Sequence, residues 1–395
     1  MGPMPYRRSA RLCISFTLLL VTCCGVEVFS ADEKPLPETL LLKDFRPKSV
    51  YNIPQTTIDK ARYPAIDMHA HDYASTPEQV EDWVPAMDEA GVEKAIVMTM
   101  AVGSQFDDIY AKYAKYPDRF EVWCGFDYTG YDKPDFGPAA VKELQRCYKV
   151  GARGVGELGD KGKGLFYCRP TKAWGMHLDD PRMDTLLEKC AELKMPVNIH
   201  VADPYWMYLP MDATNDGLMN AYRWRLDNQP DIVGHQGMVD ILERAVKRHP
   251  KTTFIACHFA NCSYDLNKLG RLFDECPNLY ADISARYAET AAIPRFAARF
   301  YEKYQDRLVY GTDMRFSAKL YRLTFRILES EDEHFYAWDC FRYHWPLYGF
   351  GLNEKILKKV YRDNALKIIG GQTSAAAVWH GLPARENTAR MAVPH

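Results

Sequence analysis

The chain has 395 residues, 47% hydrophobic and 26% charged, so it can bury a sizeable core, and disorder is excluded as its main state. With 50 Lys and Arg against 52 Asp and Glu, there is no cationic surplus to invite nucleic acid or another polyanionic partner. At roughly 150 residues per domain, the length fits two or three domains or one large α/β barrel with long loops.

In chain order, Arg7, Arg8 and Arg11 precede an apolar run from Leu12 to Val26, and Val28 and Ser30 lie just before Ala31 with a small residue at each cleavage-determining position. Residues 1–30 are therefore expected to be a secretory signal peptide, because the apolar run is short for a transmembrane helix. An N-terminal membrane anchor is the alternative; Leu20-Val21-Thr22-Cys23 is only a poor match to a lipoprotein cleavage site. Cleavage would leave 47 basic against 51 acidic residues, a net charge of −4, in an exported protein with no stable membrane insertion. Cys13, Cys23 and Cys24 would leave with the signal, and the eight remaining cysteines contain no C-x-x-C pair. Cys124 and Cys257 lie inside apolar runs and read as small buried hydrophobes.

Residues 31–64 are Pro-rich and polar and read as a lead-in that wraps the domain. From residue 65, β-branched or apolar runs recur at 65–72, 94–101, 120–128, 152–158, 196–203, 252–259, 279–285 and 307–314. Helical periodicity fills the intervals, as at 78–90, 139–150, 183–193, 238–248 and 266–276. Eight strands alternating with helices over about 250 residues predict a (β/α)8 TIM barrel, a single domain spanning residues 65–370. A doubly wound open sheet is the competitor, but no G-x-G-x-x-G follows the first strand. Two aromatic stretches break the rhythm: residues 203–237 after the fifth strand, with Tyr205, Trp206, Tyr208, Tyr222 and Trp224, and residues 335–350 after the eighth. Such loops on a barrel cover its active site or pack in a subunit interface, so a homo-oligomer is an option. Residues 371–395 turn small and polar and read as a flexible tail.

The strand ends carry the chemistry. The first ends Asp67-Met68-His69-Ala70-His71, and alternation puts both histidines on one face, toward the barrel mouth. The fourth ends in Glu157, the fifth in His200, the sixth in His258 and the eighth in Asp313. Each alone is weak: a strand histidine is often a hydrogen-bonded core residue, and an Asp after Gly-Thr can cap a helix. Jointly, five of eight strand termini offer imidazole or carboxylate, the donor set of Zn²⁺ and similar divalent ions, where barrel enzymes keep their sites. The remaining histidines fall in loops, helices or tails.

With "AIDMHAHD", "PVNIHVADP", "FIACHFAN", "LYADISAR", "LVYGTDM" and "RDNALKIIG" at residues 60–370, the chain resembles the amidohydrolase superfamily. Within it, the resemblance is to the amidohydrolase-related branch of metal-dependent hydrolases and non-oxidative decarboxylases. The resemblance implies that His69, His71, His200 and Asp313 hold a divalent metal, most simply zinc. His258 would then reach the activated water or the substrate carbonyl as electrophile or proton shuttle. A bound divalent ion lowers the pKa of its water from 15.7 to about 7, and Asp313 would take that proton as general base and return it to the leaving group. Two-metal members place a carboxylated Lys or a Glu at the end of strand four. Glu157 could thus bridge a second ion, contact substrate, or pair with Arg153 or Lys161; no Lys sits there to be carboxylated.

Arg286 follows the seventh strand, where a guanidinium could grip a substrate carboxylate. Asp203, three residues past His200, and Trp206 in the aromatic loop are further candidates for substrate contact, against structural roles for each. The expected function is an exported metal-dependent hydrolase attacking a C–O or C–N bond of a small lactone, amide or ester. The alternative is a metal-dependent decarboxylase of an aromatic or unsaturated acid. A non-catalytic barrel binding protein would lack some ligand positions, and all are filled here.

Overall fold

A computed structural model describes residues 37–370 apart from Cys168, so the signal peptide and tail expectations lie outside the described residues. Residues 37–44 form two short 3₁₀ turns, Pro37–Thr39 and Leu42–Asp44, in a unit of their own. The second unit, from Phe45 on, holds eight parallel strands: β1 (Ala65–His71), β2 (Val92–Met98), β3 (Phe120–Trp123), β4 (Val155–Asp160), β5 (Val197–Val201), β6 (Phe254–Ala256), β7 (Leu279–Asp282) and β8 (Leu308–Val309). Each is followed by a helix: α1 (Pro77–Ala90), α2 (Gly103–Tyr113), α3 (Phe136–Val150), α4 (Asp184–Leu193), α5 (His235–Arg248), α6 (Leu266–Glu275), α7 (Pro294–Lys303) and α8 (Ala318–Glu329).

Ladders join β1-β2-β3 and β4-β5-β6-β7-β8 in parallel. Two seams close these halves into a barrel. At one, Cys124 just past β3 pairs with Val155, its amide donating to Gly154 O at 3.1 Å while its carbonyl accepts from Gly156 N at 2.9 Å. At the other, Met68 N donates to Tyr310 O at 2.9 Å and Asp313 N to His69 O at 2.8 Å, joining β1 to the continuation of β8. The (β/α)8 expectation therefore holds, with the strands shorter than their apolar runs.

Ile66, Met68, Ile96, Met98, Trp123, Ile255, Tyr280 and Val309 form one buried cluster. Side chains from six strands around a ring meet only in its interior. Ala365, with Leu366, Ile368 and Ile369 against it, closes this floor from the C-terminal helix, where Asn364 Nδ2 donates to Leu308 O at 2.8 Å and Gln305 O at 2.7 Å. The outer faces of the strands pack on the helices in a much larger cluster.

Local signals set the helices. Thr76 accepts from Gln79 N at the start of α1, Pro77 opens it, and Gly91 ends it at a φ of 83°. Trp83 on its buried face donates Nε1 to Tyr321 OH of α8 at 3.1 Å, tying first helix to last. The loop after β5 ends at Gly234, because the pattern that opens α5 already includes His235. Tyr205–Tyr208 and Leu218–Ala221 are short helical turns within it. After β4, a small antiparallel ribbon pairs Gly164–Leu165 with Ala173–Trp174. Asp160 anchors it, accepting from Gly162 N and Gly164 N at Oδ1 and meeting His177 Nδ1 at Oδ2, 2.6 Å away.

Among the described residues no helix is long and apolar enough to cross a membrane, and Cys124, Cys147, Cys190, Cys257, Cys262, Cys276 and Cys340 are all free thiols.

Two stability tests follow from this backbone. Lys194, exposed at the end of α4, has a φ of 54°, a left-handed position that glycine occupies at lower cost. Lys194→Gly should raise stability by about 0.5–1 kcal/mol, read as an upward Tm shift; a lower Tm refutes it. The hydrogen bond to Asp160 raises the His177 pKa above 6.5 despite partial burial. Its contribution is complete below pH 6.5 and fades as pH rises through the raised value. The stability gap between wild type and His177→Gln should therefore narrow from pH 6 toward pH 9 in urea unfolding, and a widening gap refutes it.

Candidate metal centre

Strand parity alone cannot put Met68 in the barrel floor and His69 in its mouth, since neighbours face opposite sides. The β1–β2 register shifts between Asp67 and Ala70. There the Asp67 carboxylate accepts from His69 N at 3.1 Å and from the Thr312 amide and hydroxyl at 2.9 and 2.6 Å. Below this irregularity Ile66 and Met68 point inward; above it His69 and His71 do. Gly311 allows the approach of β8, because a Cβ there would lie 2.8 Å from His69 Cβ.

Three histidines present the same edge to the centre. Nδ1 of His69 lies 2.9 Å from Asp282 Oδ2, Nδ1 of His71 lies 3.1 Å from Met98 O, and Nδ1 of His258 lies 2.7 Å from Ser284 Oγ and 3.1 Å from Ser284 O. With each Nδ1 engaged, each Nε2 faces inward as a lone-pair donor. His69 Nε2 is buried with no hydrogen-bond partner. It sits 3.8 Å from Glu157 Oε1 and 3.7 Å from Asp313 Oδ1, while His71 Nε2 is 3.4 Å from Glu157 Oε2 and 3.2 Å from Asp313 Oδ1. His258 Nε2 is 3.5 Å from Glu157 and 3.7 Å from Asp313 Oδ2.

The donor atoms of His69, His71 and Asp313 all lie within 4.8 Å of one another, as do those of His69, Glu157, Cys257 and His258. Ligands about 2.0–2.2 Å from one ion on opposite sides are spaced this way. The orphaned His69 nitrogen and the mixed imidazole–carboxylate set fit a divalent cation.

The electrostatics agree. Burial opposes a charge on His69, yet the Asp282, Asp313 and Glu157 carboxylates outweigh it and lift its pKa to about 10. Burial likewise opposes ionisation of Asp313 and Glu157, but the surrounding imidazoles hold both well below the usual carboxylate range. His258 moves the other way, down to about 4, through burial and then the nearby Arg286, His69 and His200. The cluster thus gathers negative charge around a point that calls for a cation.

Every sequence candidate has a definite place. His200 joins through its partners: Nδ1 is 2.9 Å from Glu157 Oε1 and Nε2 is 3.2 Å from Asp203 Oδ1, so both ring nitrogens already face carboxylates. Asp203 also meets Lys161 Nζ at 2.9 Å; burial raises its pKa, but His200 and Lys161 bring it to about 2. Glu157 therefore pairs with neither Lys161 nor Arg153, whose guanidinium donates to the Tyr148 and Ala152 carbonyls. Asp313 does not cap α8, since Ser317 does; its φ of 51° turns the carboxylate to the cluster.

Arg286 is buried, donating to Asn261 Oδ1 at 2.9 and 2.6 Å, with Glu289 at 3.7 Å. Asn261 ends a left-handed turn, with φ of 58°, 55°, 53° and 53° at His258, Phe259, Ala260 and Asn261, strain of the kind that gathers at functional sites. Trp206 packs over Gly217 and beside Trp345, 6.0 Å between ring centres, joining the two long loops. Cys257, buried as expected, donates to Asn198 Oδ1 at 2.7 Å, and burial holds its thiol well above the ordinary value.

Sequence reading passed over Asp282 and Ser284. Asp282 Oδ1 accepts from His258 N, Ser284 N and Ser284 Oγ while Oδ2 takes His69. Both lie in "LYADISAR" at the end of β7, and an acid at a further strand terminus was the available signal.

With this geometry in view, the amidohydrolase family model matches residues 59–371. The chain belongs to that family, which depends on divalent metals. Among solved structures, a TIM-barrel protein from Bordetella bronchiseptica shares 18% identity over 78% of this chain and 98% of its own, with a TM-score of 0.50. A proposed amidohydrolase from Staphylococcus aureus shares 16% over 78% and 99%, also at 0.50. A 2,6-dihydroxybenzoate decarboxylase from Rhizobium shares 17% over 78% and 99%, at 0.49. At these identities the likeness is one of fold. No curated protein matches the chain.

Asp282→Asn should weaken divalent-metal affinity by about 10–100-fold, because it removes the acceptor that orients His69. Competition with a chromogenic chelator measures this, and unchanged affinity would confine Asp282 to a folding role.

Proposed function

We propose that the chain is a divalent-metal-dependent hydrolase acting on a C–O or C–N bond of a small carbonyl compound, such as a lactone, amide or ester. The observation that carries this reading is the position of Asp313. Its carboxylate is the most open of the cluster, 28% exposed where Glu157 is 6% and Asp282 is 0%. One oxygen faces His69 and His71 and the other faces His258, so it borders both the cation site and the space a substrate enters.

His69 and His71 would hold the metal with Asp313, and His200 would enter the set by exchanging one of its carboxylate partners. Zinc suits the nitrogen and oxygen donors; Glu157, facing all four imidazoles, is placed to bridge a second ion if one binds. When bound, such an ion supplies an acidified water and a polarised carbonyl. Asp313 receives the proton at a carboxylate oxygen and returns it to the leaving group. His258, its Nδ1 fixed by Ser284, presents a basic Nε2 that can take up a proton and pass it on. Asp203 holds His200, and Trp206 shapes the loop above.

A second reading is non-oxidative decarboxylation of an aromatic or unsaturated acid, in which the substrate's carboxylate or an adjacent oxygen would meet the metal and His258 or Asp313 would manage the proton. Either enzyme would act on a small molecule, and the segment at residues 1–30 favours export.

The test is reconstitution with zinc or manganese, elemental analysis, and assay of a panel of lactones, esters, amides and aromatic acids. Bound metal with hydrolysis, and a roughly 10²–10⁴-fold fall in kcat for Asp313→Asn, is the expected result. Two equivalents falling to one in Glu157→Ala would assign the bridge. Carbon dioxide release without hydrolysis selects the second reading, and failure to bind metal overturns both.

A further inference from the structure

A cavity of about 260 Å³ opens beside the metal cluster, and His71 is part of its wall. Met98 and Met100, at and beyond the end of β2, and Ile109 of α2 give it apolar sides. Its rim carries Gln105, Asp108 and Arg169. Asp72 also borders it, but that carboxylate is already met by Lys112 Nζ at 2.5 Å and Tyr113 OH at 2.8 Å.

Arg169 differs from the other arginines around the mouth. Arg286 is committed to Asn261 and Glu289, whereas the Arg169 side chain has no hydrogen bond or ion pair among the described residues. Its backbone is nevertheless pinned. Arg169 N donates to Met100 O at 3.0 Å, and Met100 N donates to Gly156 O at 3.1 Å. Met100 holds a φ of 57° while making both contacts, a left-handed conformation that non-glycine residues rarely adopt. Thr171 further along meets Thr129, hydroxyl to hydroxyl, at 3.0 Å. A fixed backbone thus carries a free guanidinium at the lip of a cavity with apolar sides and a polar rim, whose wall includes a histidine of the metal cluster.

We propose that this cavity is the recognition pocket of the enzyme, and that Arg169 binds a carboxylate of the substrate remote from the group that reacts at the metal. The substrate is then a small acid with an apolar or aromatic body, whichever bond is broken. Asp108 and Gln105 on the same rim suit a hydroxyl or amine next to that carboxylate. The proposal rests on the metal-centre reading above, and it assigns a role to a residue that touches no part of the cluster itself.

Calorimetric titration of the zinc-loaded full chain with benzoate and isophthalate tests it. The two probes share a carboxylate able to meet the metal, and isophthalate adds a second across the ring. Isophthalate should bind about tenfold tighter, since a charge-assisted pair with Arg169 adds that much. Arg169→Gln should abolish the preference while leaving benzoate affinity, zinc content and Tm unchanged, and Arg169→Lys should restore part of it. If benzoate binds but isophthalate gains nothing, or if the gain persists in Arg169→Gln, the proposal is overturned and the metal centre stands. If neither probe binds and zinc is not retained, the metal-centre reading itself fails, and this pocket assignment with it.

Discussion

Three carboxylates, Glu157, Asp282 and Asp313, are drawn into the mouth of the barrel and ionised there. Charges removed from water persist only when partnered, and the partners here are four imidazoles on three different strand ends. Around this constraint the upper barrel is arranged. Asp282 holds His69 and the backbone of His258 together; Asp67 ties β1 to the end of β8; and Glu157 faces His69, His71, His200 and His258 from the end of β4.

The lower barrel meets the opposite requirement. Its floor is mainly apolar, filled from six strands and covered by the C-terminal helix. One irregularity in β1, where Asp67 replaces a ladder partner for His69 N, separates the two environments. Stability and chemistry thus occupy opposite ends of the same strands, the division typical of barrel enzymes.

Around the mouth, backbone strain and polar bracing go together. Met100, the turn from His258 to Asn261, and Asp313 all hold left-handed conformations, and each is pinned by hydrogen bonds to a neighbouring strand end or loop. The long loops are braced in turn: Tyr343 OH donates to Glu289 and accepts from Asn220 Nδ2 at 3.0 Å, while Trp345 Nε1 donates to Ala288 O at 3.0 Å. These contacts fasten both aromatic loops to the segment that carries Arg286.

Most of the architecture was legible in the chain, because the alternation of apolar runs and helical periodicity is a local property of sequence. The strand-end residues His69, His71, Glu157, His200, His258 and Asp313 were legible for the same reason: each closes an apolar run. What was not legible depends on packing between segments distant in the chain. Asp282 looked like one more strand residue until β7 lay beside β1 and β6. Lys161 could equally have paired with Glu157 until the fold brought Asp203 to it. Arg169 carried no motif at all, and only the docking of its loop on Met100 put it at a cavity lined by His71. By itself, then, the sequence determined the barrel and the chemical types gathered at its mouth, since both follow from short-range pattern. Only the tertiary structure decided which carboxylate meets which imidazole and which arginine stays free, because those pairings are set by contacts between residues up to some 240 positions apart.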